Sequence, residues 1–218
     1  MPKKIAVVLS GCGHKDGAEI TEAISSLIAL SEAGADYECF APDKDFTVTD
    51  PLTAKATSET RNILKEAARI ARGKIHALKE LKAKNFDGLV LPGGYGAALH
   101  LCTWGKEGAK CSVLPEMENV LTDFYSAEKP IAAICIAPAL VARVLGKKGI
   151  TVTLGQDKTS AAEIMKTGAT HENCAVDDFV SDREHRIITT PAYMYDKAQP
   201  IEVFKGIRKA VQELVEMA

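Results

Sequence analysis

Aromatic side chains make up only 6% of the 218 residues, with a single tryptophan, and the charges nearly cancel at a formal net charge of -2. Without a basic excess there is no electrostatic reason to expect a nucleic-acid or anionic-membrane partner. Long apolar runs are missing too: none approaches the roughly 20 residues of a spanning helix. The six cysteines, at 12, 39, 102, 111, 135 and 174, include no CxxC pair and no Cys/His spacing of a metal site. No metal and no cofactor are therefore expected, and the thiols should be free in a reducing compartment. No signal-peptide core follows Met1-Pro-Lys-Lys, so the sequence reads as cytoplasmic.

What is there centres on Lys129–Leu145, KPIAAICIAPALVARVL. Ile131–Ile134 is an apolar run of strand length, and Pro138–Leu145 is an Ala-rich run of helix type. Pro138 is at home in a helix's first turn, where its missing N–H costs nothing. Cys135 thus falls at a sharp strand-to-helix turn, the cysteine form of a nucleophile elbow. Backbone N–H groups and the helix dipole there favour negative charge, on a thiolate or on an oxyanion. A buried structural cysteine is the other reading, since free Cys is among the most buried residue types.

The rest of the chain alternates strands and helices. Lys4–Ser10 suits a buried parallel strand and ends in a loop, Gly11–Gly17, with Asp16 placed to cap the next helix. In that helix, Gly17–Leu30, the pattern Ile20, Ala23 or Ile24, Leu27 and Leu30 predicts the sheet-facing stripe. Glu19 and Glu22 are then first-turn acids complementing the dipole. Tyr37–Ala41 is the second strand and Pro42–Ser58 reads as irregular. Thr60–Arg72 reads as a basic amphipathic helix with Arg61, Arg69 and Arg72 solvated. Leu78–Lys84 is a helical piece, and Gly88–Leu91 is the third strand, followed by a glycine turn, Pro92–Gly96. Residues 97–114, with His100, Cys102, Trp104 and Cys111, form an inserted loop over the strand ends. Pro115 opens a helix to Ala127. Ile150–Leu154 is strand-like, Ser160 and Glu163 read as a capping box, Val176–Val180 and Arg186–Thr190 as a hairpin, and Pro200–Met217 as the last helix. With no linker or repeat, one domain is expected over residues 1–218. The class is α/β, a doubly wound, mostly parallel sheet covered on both faces. Ligands bind at the carboxyl ends of such strands, where the Gly11–Gly17 loop, the Pro92–Gly96 turn and Cys135 converge.

Ala132–Cys135 with Leu91–Gly94 upstream resembles the PfpI-type branch of the class I glutamine-amidotransferase-like superfamily. Ser10–Gly13, Cys39–Asp43, Thr60–Asn62, Leu91–Ala98, Cys135–Pro138 and Thr189–Met194 together resemble the ElbB family, named for isoprenoid biosynthesis and for glyoxalase activity. The resemblance implies a flavodoxin-like three-layer sandwich, commonly a homodimer. It implies that Cys135 is the nucleophile, that Glu22 hydrogen-bonds its thiol, and that the N–H groups of Gly94 and Ile136 form an oxyanion hole. Relatives of amidase or protease type carry a His directly after the Cys; here that position is Ile136. His171, which follows the Gly-Ala pair that precedes a His in the family, and the loop-borne His14 are the candidate replacements. Leu99-His100 departs from the Lys-Asn usual in the family.

The reaction implied is a cofactor-independent glyoxalase step on a small aldehyde: Cys135 adds to glyoxal or methylglyoxal, Glu22 moves a proton between the two carbons, and water releases a 2-hydroxy acid. A redox-regulatory protein using a reactive thiol, or an accessory protein of isoprenoid biosynthesis, is the alternative. Geometry and resemblance disagree on Glu22. At roughly 100° per residue it lies about 200° from Ile20, on the side away from the predicted stripe, whereas the resemblance puts it against the thiol.

Overall fold

The computed structural model describes residues 2–218. In chain order the elements are β1 (Lys4–Val8), α1 (Ile20–Glu32), β2 (Asp36–Ala41), β3 (Asp45–Thr49), β4 (Ala56–Asn62), α2 (Ile63–Ile70), β5 (Ile75–Ala77), β6 (Gly88–Leu91), α3 (Trp104–Glu107), α4 (Pro115–Ser126), β7 (Ile131–Ile134), α5 (Ala137–Leu145), β8 (Thr151–Val152), α6 (Lys158–Met165), β9 (Thr170–His171), β10 (Val180–Asp182), β11 (Ile187–Thr190) and α7 (Pro200–Met217).

Seven strands form the central sheet in the order β10-β11-β7-β6-β1-β2-β5, parallel except for β10. Strand residues alternate between two apolar cores, as the pleat requires. Ile5, Val7, Val90, Ala132 and Ile134 face one core, shared with α1, α2 and α7. Ala6, Val8, Leu89, Leu91, Ile131 and Ala133 face the other, shared with α4 and α5. This is the three-layer, flavodoxin-like α/β sandwich expected. From β1 the chain crosses to β2 on one side, while β6 and β7 lie on the other. The carboxyl ends of β1, β6 and β7 therefore flank the point where the winding reverses, which is where open α/β sheets form a crevice.

Several local expectations are corrected. Pro42–Ser58 is not irregular: β3 pairs with β4 as an antiparallel hairpin. That hairpin takes Thr60–Asn62 out of the predicted helix, and Asn62 caps α2 by accepting from the Lys65 N–H at 3.1 Å. Arg61 and Arg69 are not simply solvated, because both pair with the buried Glu66 at 3.4 and 3.0 Å. Asp16 does not cap α1; it accepts from the Thr49 N–H at 2.7 Å and holds the hairpin against the Gly11–Gly17 loop. The cap of α1 is Glu19, whose Oε2 accepts from the Glu22 N–H at 2.8 Å. Asp157, not Ser160, caps α6. In place of a helix over Leu78–Lys84 there are two 3-10 turns, Leu78–Glu80 and Ala83–Asn85, preceded by the unforeseen edge strand β5.

Ala23, Leu27 and Leu30 of the expected α1 stripe are buried, but Ile20 is not, and the buried face extends the other way. Ile20 and Ile28 are 49% and 51% exposed, and the buried set is Glu22, Ala23, Ser25, Ser26, Leu27, Ala29 and Leu30. Small residues face α7 and the sheet because the helix packs close, so the bulky isoleucines lie outside. Glu22 sits on the buried face itself, which removes the disagreement between its helical angle and a place beside the thiol.

The tip of the β3–β4 hairpin carries Leu52 at 94% exposure and Ala54 at φ 55. Limited proteolysis is expected to cut there first. The nicked chain should still unfold in one transition, and recovery of two independently folded fragments would overturn the one-domain expectation.

Candidate active site

The turn after β7 places Cys135 at φ 60, a left-handed conformation rare for a residue with a Cβ. Holding it costs on the order of 1–3 kcal/mol. The Cys135 N–H donates to the Thr190 carbonyl at 2.9 Å, which ties the elbow to the end of β11. The sulfur then stands over the sheet edge at the start of α5, and the N–H groups of Gly94 and Ile136 donate to it. These are the two groups expected to form the oxyanion hole.

Glu22 lies across from the sulfur and is fully buried. Its Oε2 accepts from the Gly93 N–H at 3.0 Å and its Oε1 from the Tyr193 N–H at 3.3 Å, and its carboxyl hydrogen-bonds the Cys135 thiol. Burial first, and the neighbouring Glu19 second, push the Glu22 pKa up to about 8. At neutral pH the carboxyl is therefore mostly protonated, and the thiol's hydrogen bond to the carboxyl oxygen opposes that shift. Burial also pushes the Cys135 thiol up, and the charge of an ionised Glu22 adds to this; the Gly94 and Ile136 N–H groups oppose both. Two adjacent acids in one dry site do not both ionise readily, so the pair holds a proton between them.

Only glycine permits this approach at the β6 turn. A Cβ on Gly93 would lie 2.6 Å from the Cys135 Cβ and 2.8 Å from Glu22 Oε2. Gly94, at φ 91, passes so close to the start of α1 that a Cβ would sit 2.4 Å from the Glu19 N and the Gly17 O.

Cys135 opens into a cavity of about 450 Å³ lined by His14, Glu19, Tyr95, Trp104, Asp157, Tyr193, Met194 and Asp196 among others. Its charged lining residues are Glu19, Asp157 and Asp196, with no lysine or arginine. Residues 97–114 do cover the strand ends as expected, with Trp104 and Gly105 in the wall. His100 is turned aside: its Nε2 bonds the Asp16 carbonyl at 2.8 Å.

The two candidate histidines fare differently. His14 lines the cavity mouth, exposed, with its ring edge-on to Tyr95 at 5.3 Å. His171 is not brought to the site. It lies in β9, beside β8, and its Nε2 accepts the Leu154 N–H at 3.0 Å, which occupies that nitrogen's lone pair. Helical position marks Glu19 only as a first-turn acid, the resemblance only as a carboxylate near the thiol, and neither points to Tyr193 as a donor to Glu22. The only signal for Tyr193 lay in the Thr189–Met194 segment. Asp157 and Asp196, both far from the elbow in sequence, carried none.

The DJ-1/PfpI family model matches residues 3–191. The "ES1 protein homolog, mitochondrial" of Rattus norvegicus is 40% identical over 98% of this chain and 84% of its own length. The "Glutamine amidotransferase-like class 1 domain-containing protein 3, mitochondrial" of Homo sapiens is 41% identical over 98% of this chain and 83% of its own length. The crystal structure of an "isoprenoid biosynthesis protein with amidotransferase-like domain" from Ehrlichia chaffeensis superposes with a TM-score of 0.92, at 37% identity and 99% coverage of both chains. The mitochondrial names of these relatives overturn the cytoplasmic expectation. That expectation rested on composition and the first few residues, and neither records the compartment in which a fold operates.

Two outcomes test the pair. Between the ordinary carboxyl value and about 8, the folded protein binds a proton at Glu22 that the unfolded chain has lost, so stability should fall as pH rises through this window. Glu22→Gln should flatten the fall, a difference of a few kcal/mol in chemical denaturation at pH 8 compared with pH 5. Brief alkylation near neutral pH with peptide mapping should label Cys135 first, because of the six thiols it alone lines the cavity and has the Gly94 and Ile136 N–H groups to hold its thiolate against the upward push of burial. Cys39 and Cys174 are pushed up to about 11 and about 12 by burial.

Proposed function

The chain belongs to the DJ-1/PfpI family, and from that premise we propose that it is a cofactor-independent glyoxalase of the ElbB type. Members of the family include glyoxalases and redox-regulatory proteins. The observation that carries the glyoxalase reading is the pairing of the Cys135 sulfur with a buried Glu22 whose pKa is near 8. A group poised there can both take and return a proton near neutral pH.

In the proposed reaction the Cys135 sulfur adds to one aldehyde carbon of glyoxal or methylglyoxal. The thiol proton passes to the new alkoxide oxygen, giving a hemithioacetal. Until that proton arrives, the Gly94 and Ile136 N–H groups carry the negative oxygen. Glu22, as the carboxylate, removes the proton from the hemithioacetal carbon and returns it to the neighbouring carbon, while the hemithioacetal hydroxyl proton passes to that neighbour's former carbonyl oxygen, giving the thioester of a 2-hydroxy acid. Water opens the thioester to a 2-hydroxy acid and restores the thiol. Glu22 is held for this by the Gly93 and Tyr193 N–H groups, which fix both oxygens. The acidic lining of the cavity supports an uncharged carbonyl substrate over an anionic 2-oxo acid.

With Ile136 after the nucleophile, no imidazole stands where an amidase or protease would use one. A proton transfer between adjacent carbons does not need to protonate an amine leaving group, so this reading fits the residues present. The ElbB placement and a homodimeric state rest on the sequence resemblance; the name of the Ehrlichia chaffeensis structure supports the placement. The second reading, a redox-regulatory protein, is favoured by the opening of the elbow thiol into the cavity and by the missing His after it.

Steady-state assays with glyoxal separate the two. Wild type is expected to turn over. Cys135→Ala should abolish activity, and Glu22→Gln should lower kcat by about 10²-fold or more, the scale of one general acid–base group, without loss of fold. Absence of turnover in pure wild-type protein, or wild-type rates in either variant, would overturn the proposal.

A further inference from the structure

Two cysteines outside the elbow lie behind the segment that supplies Trp104 and Gly105 to the cavity wall. Cys102 and Val113 form an antiparallel bridge, flanked by hydrogen bonds from the Thr103 N–H to the Ser112 carbonyl and from the Leu114 N–H to the Leu101 carbonyl, both 2.9 Å. That short ladder folds residues 103–112 back on themselves. Cys111 lies two residues from Val113, so it falls on the same face of the ladder as Cys102. Both are buried in the core between the sheet and α5, and their thiols are hydrogen-bonding neighbours. Both are free thiols.

The surroundings of the pair are polarised. Arg143, on α5, donates from Nε to the Cys111 carbonyl at 2.8 Å, and its guanidinium also hydrogen-bonds the Cys111 sulfur. Burial pushes both thiols up, Cys102 to about 12, and the Arg143 cation opposes that shift at Cys111, which makes Cys111 the more readily ionised member. The other member is held by the Trp104 N–H and by its own contact with the Ala97 carbonyl. Nothing in the glyoxalase reading uses Cys102, Cys111 or Arg143.

We propose that Cys102 and Cys111 form a redox-active dithiol, a modification site that closes to a disulfide on exposure to a hydroperoxide. The Cys111 thiolate attacks the terminal peroxide oxygen, the O–O bond breaks, and a sulfenic acid forms with release of water or an alcohol. The Cys102 thiol then attacks the sulfenic sulfur, the S–O bond breaks, and a second water leaves with the Cys102 proton. Two thiols are oxidised by two electrons and one peroxide is reduced. Cys111 itself is buried, but Lys110 and Ser112 on either side of it are exposed, so the thiol lies one residue beneath the surface. Because Trp104 and Gly105 lie within the bridged segment and also line the cavity, the disulfide fixes one wall of the Cys135 site.

The test uses full-length Cys135→Ala protein, so that the elbow thiol and its activity play no part. After peroxide treatment and blocking of free thiols, non-reducing peptide mapping should find Cys102 linked to Cys111. Reductant should reverse the link. Trp104 is the chain's single tryptophan, so its fluorescence should shift with oxidation and return on reduction. In Cys102→Ser the link and the shift should vanish, and a dimedone adduct should appear on Cys111. Arg143→Gln, checked for fold by circular dichroism, should slow link formation roughly three- to tenfold. Recovery of both cysteines alkylated while other thiols oxidise, or an unchanged rate in Arg143→Gln, would overturn the proposal.

Discussion

A carboxyl group with no exposed surface is costly unless it is neutral or well hydrogen-bonded. Glu22 is both protonated near neutral pH and held by two backbone N–H groups. Those donors belong to Gly93, after β6, and to Tyr193, after β11, while Glu22 itself starts α1 and the sulfur it meets follows β7. One side chain therefore gathers the ends of four elements. Each must stop at the right place for the site to exist, and the parallel register of β6, β7 and β11 ensures this.

The same convergence explains where glycine stands. The chain after β6 must pass between the start of α1 and the elbow, with no room for a Cβ at Gly93 or Gly94. The strained φ of Cys135 belongs to this arrangement too: it aims the sulfur at the two N–H groups instead of into the core. The strain is offset by tightly packed apolar residues on both faces of β7, all of them buried.

The wall built from residues 97–114 gives the cavity its shape. It is tied to the helix of the nucleophile through Arg143 and to the Gly11–Gly17 loop through His100. A change in this wall is therefore felt at the cavity without any movement of the sheet. The acidic rim from Glu19, Asp157 and Asp196 comes from three separate parts of the chain, and it sets the charge of what can approach the sulfur.

By itself the sequence determined the parallel α/β sheet, the elbow at Cys135, the glycine turn after β6 and the last helix, Pro200–Met217. These are local patterns: apolar runs of strand length, a proline in a first turn, glycines where the backbone bends. The resemblance added Glu22, Gly94 and Ile136, which the structure brings to the sulfur. What only tertiary structure decided was the facing of α1, because close packing against α7 buries small residues and leaves Ile20, Ile24 and Ile28 outside, against the hydrophobic pattern. The β3–β4 hairpin was hidden because β4 is polar and mostly exposed, and the alternation of β3, Asp-Phe-Thr-Val-Thr, runs for only five residues. His171 was offered to the site by its neighbours in sequence and taken from it by a single backbone N–H. The cavity wall and the Cys102–Cys111 contact depend on long-range folding of one loop, and no period in the sequence encodes that.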